Sequence, residues 1–555
     1  MASLDLEQLR SVLQSNEYEA IREATIIGRQ AAAESTDIVV SVYDKFWSKI
    51  GEVNDYIELA VSKPRNQVAV LTFTLKGSDP LIPILRNCRK EVVGLTVQIG
   101  ALRWAYTVEE TSYKLTDGLK TLSVKALSLY HYLNHVMCWP SPFLPLATQV
   151  PSRAVFVGPI VTCINTMIAE NAFRLQSGLW ELVNNPLSLN TNWLTWFGTF
   201  LQSRGDLLQM LKTPLYVCHV NPLLDSSPFV SITSRMEPVA TVIEKLIVGY
   251  GVTVEVELWL PGDPQPDEWA TLTAPTYVVR VVDRSNVTGP TGTILDSVIK
   301  QLVVLEESVL GGVLSPLLNP NGEYAPEGVF IAPTIGVEFV KPWAVLIDHP
   351  RGPMESFEIT DHAPTAHSVI IGGRSPKWIN DIINATTSWL LDCLMIVVGL
   401  VGVPSNLFDG LLNDVLLSFQ VSQNFKRRNE LGPYGRPEQF FPTGAAPYNI
   451  DALFSFIGAL WDTRGYRSAV ASFRQGYPYS VGRDVFPGAM MSIVENGTLY
   501  SDYIENIIVT DNRQERATVM VQIGDGKLEE APIARIQRVI TGIQESINAL
   551  TLAPN

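Results

Sequence analysis

Leu71-Thr72-Phe73-Thr74-Leu75 alternates large apolar side chains with threonines, and this period of two sets the fold of the first part of the chain. Successive side chains of an extended strand point to opposite faces, so such a segment buries one face and wets the other. The pattern continues on both sides. Ile57, Leu59 and Val61 alternate with Glu58 and Ala60. Leu95, Val97 and Ile99 lead into Gly100-Ala101, and Trp104, Tyr106 and Val108 follow, which predicts a hairpin at that dipeptide. Leu122, Val124 and Ala126 extend the series. Residues 38–135 therefore read as a small antiparallel barrel or sandwich.

Upstream, Leu4, Leu6, Leu9, Val12 and Leu13 recur at helical spacing, which predicts a helix over 4–34. Downstream, Pro140, Pro142, Pro145 and Pro151 break the chain, and 157–182 reads as helix through Ile164, Met167, Ile168 and Phe173. Trp180, Trp193 and Trp196 then cluster near Phe197 and Phe200, as a buried core or a subunit contact. Alternation resumes at Val252, Val254, Val256 and Leu258, and again over 276–283. Segments 290–315, 375–417 and 446–475 read as helical. Met491, Ile493 and Asn496-Gly497 predict a type I′ hairpin, followed by strands through Ile504, Ile508 and Val509 and through Val519, Val521 and Ile523. Gly524-Asp525-Gly526 stops the last strand, and a helix over 530–550 closes the chain. No short internal repeat stands out.

The 555 residues suit three or four domains, and 46% apolar content supplies their cores. Charged residues are only 17%, which suggests surface buried against other subunits. A net charge of -15 opposes a broad nucleic-acid face, and the one dense basic run, Lys426-Arg427-Arg428, reads as a solvated turn. Five widely spaced cysteines, without a CxxC pair, read as reduced and mostly buried thiols made in a cytoplasm. No secretory signal precedes the sequons at Asn286, Asn384 and Asn496, which read as chance matches. The apolar stretch Trp389–Val403 is interrupted by Asp392 and is shorter than the roughly 20 residues of a bilayer span, so it reads as a buried helix.

Each pattern that resembles a catalytic or metal site lacks a partner. His131, His135 and Cys138 have a zinc-like spacing, but no fourth ligand stands nearby and no HExxH is present. Asp361, His362 and His367 allow a dyad to be drawn, but no GxSxG elbow supplies a nucleophile. Gly372-Gly373-Arg374-Ser375-Pro376-Lys377 lacks Walker spacing and reads as a helix start with Ser375 as its cap. Thr288-Gly289-Pro290-Thr291-Gly292 reads as a turn. Paired carboxylates for glycan hydrolysis need a separation in space that sequence does not give. No catalytic, metal or cofactor-binding residue is assigned, and the chain reads as a protein that acts by assembly.

Several segments, in order, carry a family resemblance. They are Asp55-Tyr-Ile-Glu-Leu, Leu75-Lys-Gly with Asp79-Pro-Leu, Glu91-Val-Val-Gly-Leu-Thr-Val, Trp139-Pro-Ser-Pro-Phe-Leu-Pro-Leu-Ala, and Phe173-Arg-Leu-Gln-Ser-Gly-Leu-Trp-Glu-Leu-Val-Asn-Asn. Gly372-Gly-Arg-Ser-Pro-Lys-Trp-Ile-Asn and Leu407-Phe-Asp-Gly-Leu-Leu-Asn-Asp-Val-Leu-Leu-Ser-Phe-Gln follow. Together they resemble the minor tail proteins, of tail-tip hub type, of long-tailed siphoviruses that infect mycobacteria and related actinobacteria. The resemblance implies a mixed α+β, multi-domain chain in which small antiparallel β-barrel domains of tail-hub type carry helical insertions. The implied parts are an N-terminal arm (1–37), a first hub barrel (38–150), a helical and aromatic-rich segment (151–215), and a middle β-rich domain (216–370). A helical insertion (371–475), second-barrel strands (476–530) and a C-terminal helix (531–555) complete it. The resemblance also implies a homotrimeric ring at the virion tail tip that continues the tail tube. Its implied partners are a distal tail ring, the C-terminus of the tape-measure protein, other minor tail proteins and spikes or fibres, with DNA passing through unread. A peripheral receptor-binding scaffold and a cell-wall hydrolase are the alternatives.

Overall fold

A computed structural model describes residues 38–177, 214–297, 319–322, 331–347, 354–372, 419–442 and 459–524, short gaps within these ranges excepted. The described residues belong to two compact units. One is formed by the chain up to Ile359 with Ser468–Asp525, the other by Thr360–Arg467.

The first unit is built on the alternating segments. Its strands are β1 (Ile38–Tyr43), β2 (Lys49–Val53), β3 (Tyr56–Pro64), β4 (Val70–Lys76), β5 (Gly94–Ile99), β6 (Leu102–Thr116) and β7 (Leu119–Ser128). Leu71, Phe73 and Leu75 of β4 are buried, as are Leu122, Val124 and Ala126 of β7, so the period of two marks the inner face. β5 and β6 pair from Ile99↔Leu102 outward, which leaves Gly100-Ala101 as the link, as predicted. Thr96 is buried as well, although the alternation leaves it outward. The second face of β5 is covered, because Tyr43, Trp47 and Ala105 belong to a second core.

The two β-rich ends of the chain are not two barrels. The strand Thr498–Asn512 pairs antiparallel with β3, from Asn506↔Pro64 to Asn512↔Glu58. The result is a single 13-stranded sheet. Its order runs from Met354–His362 through Tyr466–Arg474, Thr518–Ile523 and Thr498–Asn512 to β3, β4, β7, β6, β5, β1 and β2. Met490–Glu495 and Ala344–Ile347 are attached beside Thr498–Asn512. This path has two ends that do not pair with each other, so the expected small β-barrels are absent among the described residues. The mixed α+β, multi-domain character stands, with antiparallel sheets in place of barrels. Short-range alternation specifies a buried face, whereas closure depends on which distant edges meet.

A further difference lies within the 446–475 segment. Tyr466–Arg474 is a strand, with Ala469, Ala471 and Phe473 buried against the main core. Two of its three inward residues are alanines, the strongest helix formers, so local propensity conceals the period of two. Within 371–475 the described elements are likewise mixed: strands Phe419–Gln423 and Glu438–Pro442 flank Ser368–Gly372 in a small sheet, beside the helix Phe425–Leu431. The helix read over 157–182 begins later, at Ile160, because Ala154–Pro159 pairs as a strand with Phe229–Ser234.

That helix, Ile160–Ser177, anchors the second core. Ile160, Ile164, Met167 and Ile168 recur on one face and are all buried. Its first amides are capped from afar: Ser227 Oγ accepts from Val161 N at 3.1 Å and Asp225 accepts from Thr162 N at 2.8 Å. The helix Val239–Ile247 and the three-stranded sheet of Leu215–Val217, Thr276–Asp283 and Val252–Trp259 complete this layer. No helix among the described residues is long and apolar enough to cross a membrane. The helices expected over 4–34, 375–417 and 530–550, Trp180, Trp193 and Trp196, and the stretch Trp389–Val403 lie outside the described residues.

Candidate assembly surface

Most of the residues singled out for chemistry are engaged in packing and hydrogen bonds. His131 and His135 sit on the 3-10 turn Leu129–His135, with their Nε2 atoms 3.2 Å apart and their rings edge to face. Cys138 is fully buried, and burial pushes its thiol up to about 11. Among the described residues no three His, Cys, Asp or Glu side chains are grouped to hold a metal.

The drawn dyad does not form. The guanidinium of Arg467 grips Asp361 with two hydrogen bonds, one of 3.0 Å to Oδ2, and holds this carboxyl below its usual range. His362 stacks on Tyr466 with centroids 4.1 Å apart. His367 is buried, and its Nδ1 lies 2.9 Å from Ser368 Oγ. Of Gly372–Lys377 only Gly372 lies within the described residues, at the end of a strand. Gly289–Gly292 bends as its sequence predicts, whereas Thr288 ends the short strand Val287–Thr288. The carboxylate of Asp296 accepts from the Gly292 amide at 2.6 Å and from the Thr291 hydroxyl at 2.8 Å. A Cβ on Gly289 would stand 2.4 Å from Asp296 Cγ, so the turn needs glycine there.

The basic run is not a solvated turn. Asn424 caps the helix Phe425–Leu431 by accepting from Arg427 N at 3.0 Å. The Arg427 side chain is buried and donates to Ala366 O, Thr463 Oγ1 and Leu460 O at 3.2, 2.9 and 3.0 Å. It is committed to carbonyls and a hydroxyl, not offered to phosphates. Cys138, Cys163 and Cys218 are buried and free, and Cys88 is half-buried and free, in keeping with reduced thiols.

What remains is the exposed surface of the sheet. At one end of the sheet, β2 exposes Ile50 but carries Lys49 and Glu52, which pair with each other. At the other end, Met354–His362 carries Glu355, Glu358 and Asp361. Charged edge strands resist indiscriminate strand pairing. The tip of the β6–β7 hairpin is different. Asp117 and Gly118 both take left-handed backbone, with φ of 50° and 79°, as a two-residue I′ turn requires. Leu115 is 65% exposed and Leu119 is 72% exposed. Leu115 lies opposite Lys120 and Thr116 opposite Leu119, so the two leucines stand on opposite faces of the hairpin. Tyr113, on the Leu115 face, is partly exposed under the Arg86 guanidinium. The sequence reading passed over this tip, although Asp117-Gly118 between alternating segments is a strong hairpin signal.

The sheet is open and its hairpin tip exposes apolar side chains, and sequence comparison gives the family. The profile of the family described as Siphovirus ReqiPepy6 Gp37-like protein matches residues 39–525, and the chain belongs to that family. It is similar to Minor tail protein Gp28 of Mycobacterium phage L5, 23% identical over 345 residues, covering 58% of this chain and 56% of that protein. It is also similar to Minor tail protein Gp28 of Mycobacterium phage D29, 24% identical over 402 residues, covering 63% and 62%. The match thus spans little more than half the length of these curated relatives. Both curated relatives are minor tail proteins of mycobacteriophages. Among solved structures, the 43 kDa tail protein of prophage MuSo2 from Shewanella oneidensis aligns over 89% of this chain and 99% of its own, at 9% identity and a TM-score of 0.40.

Proposed function

We propose that this chain is a structural component of the siphovirus tail tip that works as a hub, by assembly and not by catalysis. The observation that carries this reading is the β6–β7 tip, which holds a leucine out to solvent on each face. Single exposed leucines are common on monomers, but two at one turn offer apolar anchors, and an apolar anchor seated in a partner's pocket is the usual centre of an interface. The names of the two mycobacteriophage relatives, both minor tail proteins, support the tail setting. The engagement of Asp361, His362, His367 and Arg427 in packing and hydrogen bonds supports the non-enzymatic reading.

In this proposal three copies form a ring that continues the tail tube. The ring contacts the distal tail ring, the C-terminus of the tape-measure protein, and other minor tail proteins, spikes or fibres. Ring contacts come from the open sheet that 38–150 and 476–530 build together with the strands Ala344–Ile347, Met354–His362 and Tyr466–Arg474, and the rest of 216–370 and 371–475 are insertions in the chain. The net charge of -15 suits a channel that lets DNA pass without holding its phosphates. Light scattering on the purified chain across a dilution series tests the assembly. The proposal expects a trimer that dissociates on dilution and is lost in the variant L115S/L119S. A monomer at every concentration, with or without tail-tip partners added, would refute it.

A further inference from the structure

The geometry points to an unassigned site for a divalent transition-metal ion, of the copper, nickel or zinc class, held between the Nε2 atoms of His131 and His135. These atoms lie 3.2 Å apart. Two nitrogens bound at 2.0–2.1 Å to one tetrahedral ion stand about 3.3 Å apart, and in a square arrangement about 2.9 Å. The observed separation falls between these values, so an ion can enter with little movement of either ring.

The pair is held in place from below. Leu129, Tyr130 and Leu133 of the same 3-10 turn are buried, so the tertiary core fixes the backbone that presents the two imidazoles. The Nδ1 of His131 already has a partner in the Asn134 side-chain amide at 3.1 Å. With a metal on Nε2 the proton moves to Nδ1, and the amide, turned over, offers its oxygen as acceptor.

A carboxylate lies in the neighbourhood of the pair. The pairing of β6 with β7 shifts register between Val108 and Glu110, which makes Glu109 the extra residue of a β-bulge. Bulges re-aim side chains, and the Glu109 carboxylate lies close enough to act on the charge of His131. It is not placed as a direct ligand, since no three such groups are clustered among the described residues. Two imidazoles would therefore be the protein ligands, water would fill the open positions, and Glu109 would add negative charge at the rim. Copper should lead, because affinity at nitrogen sites peaks there.

Calorimetric titration of the untagged full chain with Cu2+, read together with electron paramagnetic resonance, tests this. One equivalent should bind with the hyperfine signature of two imidazole nitrogens. H131N and H135N should each weaken it at least about tenfold. H219A, at an exposed histidine elsewhere, should leave it unchanged. A wild-type chain that binds no copper, or a spectrum without two imidazoles, would overturn the site. So would an affinity in H131N and H135N equal to that of the unaltered chain. The spectrum is read on the unaltered chain, so the test holds even where a variant fails to fold.

Discussion

Arg65 and Glu505 are 440 positions apart in sequence and form an ion pair at 2.7 Å, where β3 meets the strand Thr498–Asn512. Glu505 is the bulged residue of its strand, set between Ile504 and Asn506 in register, and its carbonyl also accepts from the Arg65 amide at 2.8 Å. The guanidinium lies over Tyr503 at 4.7 Å and donates to the Tyr250 carbonyl. One arginine thus ties the strand Thr498–Asn512 and the end of β3 to the second core. The Arg65 side chain is 10% exposed and that of Glu505 is 24% exposed, so screening is limited. Arg65→Met should destabilise the protein by about 2–4 kcal/mol, with a smaller loss for Glu505→Gln. Denaturant melts of both and of the double variant check this; additive losses would mean the pair is not coupled.

Phe473 tests the strand that helix propensity conceals. It is fully buried within Tyr466–Arg474. Phe473→Ala should cost about 3–5 kcal/mol in a chemical melt. An unchanged midpoint would mean that this side chain does not reach the core.

The hairpin tip should separate stability from assembly. Leu115 and Leu119 are exposed, so L115S/L119S should shift the folding free energy by no more than about 0.5 kcal/mol. The same variant should fail to complement tail assembly in phage-infected cells. Normal virions carrying it would remove the tip from the interface.

The buried thiols give a pH signature. Burial raises Cys138 to about 11 and Cys163 to about 12, from an ordinary value of 9.0. The unfolded thiols ionise first, so the stability these groups confer is present below about pH 9 and is lost as pH rises toward about 12. In a chain carrying Cys393→Ser, a thiol reagent at pH 8 should modify Cys88 readily and Cys138 and Cys163 only after unfolding. Fast modification of all of them in the native state would contradict their burial.

Much of the sheet was legible in the sequence because its inward residues are large and strictly alternate, as Leu71, Phe73 and Leu75 do. The phase of Thr498–Asn512 was harder to read. The bulge at Glu505 puts Ile504, Ile507 and Val509 inside, and Ile508 only partly so. Barrel closure could not be read, since Asn506↔Pro64 pairing joins segments whose local patterns are silent about each other. Arg427 looked solvated because its partners Ala366, Leu460 and Thr463 are distant in sequence. The spacing of His131 and His135 suggested that they share a face, and they do meet, whereas Cys138 is turned into the core.

A symmetry-averaged reconstruction of an intact tail tip measures the central claim most directly. The hub account predicts three copies of this chain around the tail axis, with the Asp117-Gly118 hairpin of each seated against a neighbouring subunit. Copies placed off the axis, or a hairpin tip left in solvent in the assembled tip, would contradict it.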